Sequence, residues 1–241
     1  MIFYVRKLSK IINKIFIISS ITTFSYSLDF TKHLELSYVD TSGNTNTSTF
    51  SAKLETLTKL AEGEELKAKA TVLYSKDNDE TSANKYDIEV DYNHMINEKL
   101  YSYMGINYIN DELSDYDYRL NIGPGFGYKF INDDIQTLDI QAGLDYAFDK
   151  YENGKKDEYI APRTETNYRY RINDNMQFKQ MLSFLISSED SEKYFFTSES
   201  SLNLKMIENI SLGISYRIDY VNQTEKENTD RKFLTSLIID F

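Results

Sequence analysis

Residues 210–220 read Ile210-Ser211-Leu212-Gly213-Ile214-Ser215-Tyr216-Arg217-Ile218-Asp219-Tyr220. Each even position carries a bulky apolar or aromatic side chain, and each odd one a small or charged side chain. Successive side chains of a strand point to opposite faces, so this segment as a strand has one greasy face and one wet one. The greasy face could line a soluble core, with the polar face in water. Alternatively it meets lipid, and the polar face lines the inside of a closed barrel. The remainder of the chain decides between the two.

The same alternation recurs along the sequence and predicts twelve strands, at 32–42, 47–59, 64–76, 84–96, 99–110, 116–131, 135–149, 158–172, 175–187, 193–206, 209–222 and 230–241. Five connections are tight and rich in Asn, Asp, Glu and Gly: Ala61-Glu62-Gly63, Asn97-Glu98, Asn132-Asp133-Asp134, Asn173-Asp174 and Glu208. Asn, Asp and Gly tolerate left-handed backbone angles or bond back to their own main chain. The connections between them are mostly longer and charged, at 77–83, 111–115, 150–157, 188–192 and 223–229, while the first, around Gly43-Asn44, is short and uncharged. Short turns on one side and longer loops on the other are characteristic of an outer-membrane barrel. Tyrosines 74, 86, 108, 116, 118, 146, 194 and 220 fall beside the long loops, and Tyr92, Tyr128, Phe130, Tyr168, Tyr170 and Phe178 beside the short turns. Rings with a polar tip suit the lipid–water boundary, so these form two expected girdles.

The amino-terminal 27 residues support the membrane reading. Arg6, Lys7, Lys10 and Lys14 lead into a mostly apolar run from Ile15 to Phe24, then Ser25-Tyr26-Ser27. This reads as a signal peptide over 1–27, cleaved before Leu28, with 28–241 as the barrel domain. The apolar run falls short of the roughly 20 residues a transmembrane helix needs. The chain has no cysteine, which excludes disulfides and thiol chemistry, and its net charge of −11 argues against nucleic acid as a partner. At the other end Phe233, Leu237, Ile239 and the terminal Phe241 share one face. A closing Phe preceded by apolar residues at alternate positions resembles the insertion signal read by the outer-membrane assembly machinery.

The segment Leu34-Glu35-Leu36-Ser37-Tyr38-Val39-Asp40-Thr41-Ser42-Gly43-Asn44-Thr45-Asn46-Thr47, with a second Thr-rich strand behind it, resembles the DUF481 family, also called YdiY-like or salt-induced outer membrane proteins. The resemblance implies a monomeric barrel in the outer membrane of Gram-negative bacteria, surrounded by outer-membrane lipid and lipopolysaccharide. It brings no catalytic residues and no cofactor, and its salt-induced name points to envelope adaptation to salt or osmotic stress.

Residue chemistry adds no enzyme. Only His33 and His94 are available, and strand direction places both toward the periplasmic end. Gly123, Gly125 and Gly127 alternate within a strand, whereas a nucleotide-binding glycine loop needs a strand-to-helix turn. They are read instead as local curvature, or room for inward rings such as Tyr101 and Tyr103. The acidic loop clusters lack the spacing of a calcium loop.

The chain's charges concentrate on the inward face. Parity assigns it eleven acids and twelve bases, including Lys67, Lys69, Asp87, Glu89, Asp91, Arg163, Arg169, Arg171, Glu199, Arg217, Asp219 and Lys232. Folding the hairpins about their turns pairs Lys69 with Asp91, Arg217 with Glu199, and Lys232 with Asp219. If water separates the acids of strand 4 from Arg163, Arg169 and Arg171, the lumen is a pore with a transverse field. If each cluster is neutralised by neighbours, it is a salt-bridged plug, toward which the pairing tilts. The function expected from sequence is therefore a structural or passive small-solute diffusion barrel. The competing readings are a loop-mediated binding protein or adhesin and, third, a lipid-modifying enzyme.

Overall fold

Twelve antiparallel strands run in chain order: β1 Phe30–Thr41, β2 Thr47–Ala61, β3 Glu64–Asp77, β4 Glu80–Met95, β5 Leu100–Asp111, β6 Tyr116–Asn132, β7 Gln136–Tyr151, β8 Lys156–Asn173, β9 Met176–Ile186, β10 Tyr194–Ile207, β11 Ile210–Val221 and β12 Thr229–Asp240. The computed structural model describes residues 30–41, 47–78, 80–112 and 114–241; the 1–27 leader and the Gly43-Asn44 loop lie outside the described residues. Each strand neighbours the next, and β12 pairs with β1 from His33↔Asp240 to Ser37↔Ser236, closing the ring. The architecture is the predicted all-β, transmembrane, antiparallel up-and-down β-barrel of 12 strands.

The two faces follow the alternation. Phe126 and Leu144 are 61% and 57% exposed on the outside, whereas the inward Tyr101 and Tyr103 keep only 1% and 4%. Exposed apolar side chains such as Leu182, Leu202, Leu212, Ile214 and Leu237 sit on that same outer face. An apolar surface this extensive on a closed sheet is the lipid-facing surface of an outer-membrane barrel.

The periplasmic turns carry the expected chemistry. Gly63 takes φ 76°, Asn97 Oδ1 accepts from the backbone N–H of Lys99 and Leu100, and Asp133 Oδ1 accepts from Ile135 and Gln136. The opposite end departs from expectation. Strands β3 and β4 continue to Asp77 and Glu80, so the long loop predicted at 77–83 is a tight turn. Asn78 supplies the left-handed residue there, at φ 47°. Likewise β7 and β8 extend to Tyr151 and Lys156, leaving four residues between them. Charged residues continue a ladder above the membrane without penalty because both faces meet water there.

Register corrects two further expectations. With the β3–β4 turn tightened onto Asn78, Lys69 lies opposite Glu89 and it is Lys67 that lies opposite Asp91, a shift between Ser75 and Lys76 offsetting one residue of that movement. A shift between Tyr116 and Tyr118 inserts one residue, which inverts parity beyond it. Tyr116 therefore leaves the predicted outer girdle and turns inward, 4% exposed.

The lumen and its charge layers

Two kinds of wall face each other inside the barrel. On β5–β7, glycines make room for rings. A Cβ at Gly127 would fall 2.1 Å from the ring of Tyr101, and one at Gly125 or Gly143 would fall 2.4 Å from the Tyr103 hydroxyl. The room that the sequence assigned to inward aromatics is thus occupied by those two tyrosines. Tyr101 is fixed by donating to Asp139 Oδ1 at 2.6 Å and accepting from Gln141 at 2.9 Å.

The other wall is held by ions. Asp219 on β11 receives Arg217 at 3.0 Å, Lys232 on β12 at 3.0 Å and Lys85 on β4 at 3.4 Å, and the Thr197 hydroxyl donates to it at 2.9 Å. Strands β4 and β11 stand five places apart in the ring of twelve, so the Lys85–Asp219 contact crosses the bore. Arg217 also meets Glu199 on β10 at 3.3 Å. Lys53 on β2 reaches the same Glu199 at 3.7 Å, a second tie across four places, while holding Glu35 and Glu55 at 3.2 Å each.

The remaining predicted lumen residues fall into two groups. Lys69 pairs with Glu89 at 3.3 Å, not with Asp91, and Asp87 accepts from Asn107 at 2.9 Å. Arg163 pairs with Asp145 at 3.0 Å, and it approaches Asp91 over Gly105, where a Cβ would lie 2.5 Å from Asp91 Oδ1 and 3.1 Å from Arg163 Nη2. Arg169 and Arg171 join neither cluster. Arg169 stands opposite Lys179 on β9 and Thr137 on β7, close to the periplasmic end. Among the described residues no carboxylate lies within 4.0 Å of Arg169, Arg171, Lys179 or Lys67. The predicted face-off between the acids of β4 and three arginines of β8 thus holds for Arg163 alone.

These layers divide the interior. A cavity of about 550 Å³ occupies the outer half of the barrel, and pockets of about 100 Å³ and 50 Å³ lie deeper. Arg217 lines all three.

The family model described as a protein of unknown function, DUF481, matches residues 34–241. The chain belongs to the DUF481 family. No curated protein matches it. Among solved structures, this DUF481 barrel is similar to a NanC porin, with a TM-score of 0.51 and 12% identity over 89% of this chain and 98% of that one. It is also similar to the COG4313 outer membrane channel from Pseudomonas putida F1, with a TM-score of 0.53 and 9% identity over 88% of this chain and 94% of that one. At such identities the likeness is one of fold, that of outer-membrane porins and channels, and with the apolar outer face it places the DUF481 barrel in the outer membrane.

Several residues of the DUF481 barrel's interior escaped the sequence reading. Lys85 shares odd parity with Asp87 and lies within the predicted strand 84–96, yet the inward charges read from the sequence do not include it. Asp149 and Lys193, at the ends of the predicted strands 135–149 and 193–206, are missing from that set too, yet Lys193 Nζ lies 2.6 Å from Asp149, which also accepts from Tyr159 at 2.8 Å. Burial works against the charged form of Lys193, but Asp149 and Asp157 outweigh it and hold its pKa above the ordinary lysine value. Phe195 is concealed between Tyr194 and Phe196; its odd number was the available signal. Both histidines lie toward the periplasmic end. His33 bridges Glu35 at 2.8 Å and Asp240 at 2.6 Å across the closing seam, and His94 stands 4.0 Å from Glu64.

Proposed function

We propose that this barrel is a non-enzymatic, narrow passive-diffusion pathway for small hydrophilic solutes, limited by the ion layer around Arg217. The observation that carries the reading is that one side chain, Arg217, borders the outer cavity and both deeper pockets. What divides these spaces is a layer of long charged side chains centred on Arg217, a barrier that side-chain motion can relax. A twelve-stranded ring is wider than the side-chain-filled eight-stranded barrel and narrower than an open sixteen-stranded porin, which suits a restricted bore. The role in salt or osmotic adaptation belongs to the same proposal.

Planar-bilayer recording of the refolded protein tests it. Small discrete conductance steps are expected, and Arg217→Ser is expected to enlarge them. Silence from both proteins, each retaining heat-modifiable gel mobility, overturns the diffusion reading in favour of a plugged structural barrel.

A further inference from the structure

The outer cavity has the features of a binding chamber, independent of whether solute passes through. Its roof is the β11–β12 loop, which crosses the mouth to the opposite rim, since β5–β6 and β11–β12 are diametric in the ring. Thr224 Oγ1 and the Glu225 backbone N–H both donate to Asp115 Oδ2, at 2.5 and 2.7 Å. Lys226 donates to the Ser114 carbonyl at 2.8 Å and to Glu152 at 3.1 Å. The neck of the loop is stapled by Asn228, whose side chain donates to the carbonyls of Val221 and Asn222 at 2.9 and 3.0 Å. Thr224, Lys226 and Asn228 line the cavity beneath.

Below this roof, three cations lean on one close carboxylate. Lys85, Arg217 and Lys232 converge on the single carboxylate of Asp219. Their secondary partners are longer or shared: Asp111 at 4.0 Å from Lys85, Asp230 at 3.8 Å from Lys232, and Glu199, which Arg217 shares with Lys53. Arg119 has no carboxylate at all within 4.0 Å among the described residues. Its register partner Asp149 is occupied by Lys193 and Tyr159. Arg119 instead lies over the rings of Phe195, at 4.0 Å, and Tyr116, at 5.3 Å, and it lines both the outer cavity and the pocket below. Stacking fixes the plane of a guanidinium but leaves its in-plane N–H donors unused. A half-buried cation without a counter-charge is costly unless an anion completes it. Tyr116, also in the lining, is buried with its ring 4.7 Å from that of Tyr151. The volume falls within the ~300–1,000 Å³ of small-molecule sites.

We infer that the outer chamber binds a small organic carboxylate, its anionic end on Arg119 and its apolar part against Tyr116, Phe195 and Val221, beneath the Thr224–Asn228 roof. Arg119 presents its donors in a fork that matches a carboxylate.

The test is equilibrium binding to the full-length barrel refolded in detergent, by calorimetry, with acetate, benzoate and citrate as probes and with benzamide and benzylamine as the neutral and cationic counterparts of benzoate. The carboxylates are expected to bind, benzoate more tightly than benzamide, and benzylamine not at all. Arg119→Gln should weaken benzoate about tenfold or more, as loss of a charge-assisted contact does, and Arg119→Lys should restore part of it. Lys99→Gln, on an exposed periplasmic turn, should bind as the native protein does. Asp115→Asn, which loosens the roof but touches no charge on the floor, should speed benzoate release about three- to tenfold. Because the native protein with the charge series is informative by itself, misfolding of a variant does not shield the proposal. It is overturned if none of the three carboxylates binds, if benzamide matches benzoate, or if folded Arg119→Gln binds benzoate as the native protein does. Binding by a barrel that is silent in bilayers would remove the diffusion reading and leave the chamber standing.

Discussion

The β5–β7 wall and the β10–β12 wall solve the same problem, filling a tube too wide for one layer of side chains, by different physics. The first uses shape: glycines set backbone against Tyr101 and Tyr103, and two hydrogen bonds, to the Asp139 carboxylate and from Gln141, fix the Tyr101 ring. The second uses charge: Asp219 gathers three cations, one from the far side of the bore. Shape tolerates no added atom but is indifferent to charge balance. The ion layer accepts changes of volume but depends on every partner being present.

Substitutions can break this contrast. The largest effect is expected from Asp219→Asn, which strands Lys85, Arg217 and Lys232. Removing one partner from a buried ion cluster costs about 3–5 kcal/mol, read as a shift in the urea midpoint for refolding in detergent. Removing Lys232 as well, by Lys232→Met, should recover part of that loss, and a strictly additive double variant would refute the shared dependence. On the shape wall, Gly127→Ala places a methyl in the Tyr101 ring and should cost about 1–3 kcal/mol by overpacking. The loss should shrink when combined with Tyr101→Leu, whereas Lys232→Met should leave it unchanged.

A smaller effect of opposite sign is expected at the periplasmic end, where Arg169 directly faces Lys179. Like charges in directly opposed positions destabilise a sheet, so Arg169→Gln should raise stability by about 0.2–1 kcal/mol. A loss of stability there would indicate an attractive contact for Arg169. The smallest effect concerns the loops. Gln223 and the backbone N–H of Glu192 hold Asp190 below its ordinary pKa of 3.8. A carboxyl held low in the folded protein contributes fully above that ordinary value and loses its contribution as pH falls through the depressed one. Amide exchange at 222–228 should therefore be steady from neutral pH to about pH 4 and rise only in stronger acid, after correction for intrinsic exchange. A rise beginning near pH 6 would contradict that assignment.

Much of this was legible in the sequence because one period governs it. Alternation at 210–220 fixes strand, faces and environment together, and the same rule, repeated, yields twelve strands and a closed ring. Register was less legible. The predicted Lys69–Asp91 pair became Lys69–Glu89 because a turn tightened onto Asn78 moved the fold line, and one extra residue in the β3–β4 hairpin offset only part of that move. The same kind of insertion turned Tyr116 inward. The outer chamber was the least legible part. Its defining contacts join Thr224 to Asp115 and Arg119 to Phe195 across the bore, and no local pattern encodes which residues meet over a lumen. Arg217–Glu199 and Lys232–Asp219 were readable because hairpin neighbours are fixed by turn position.

The ties that cross the bore have a mechanical consequence. A hollow hoop of sheet resists stretching along its hydrogen bonds but flattens easily into an oval, because bending spreads over many soft dihedrals. Struts from Lys85 to Asp219 and from Lys53 to Glu199 turn the hoop into a truss. Lateral pressure on one wall is then carried to the opposite wall and does not accumulate as curvature. Such a cross-section should stay round as the surrounding bilayer stiffens or thins, and it should lose that resistance when either strut is cut.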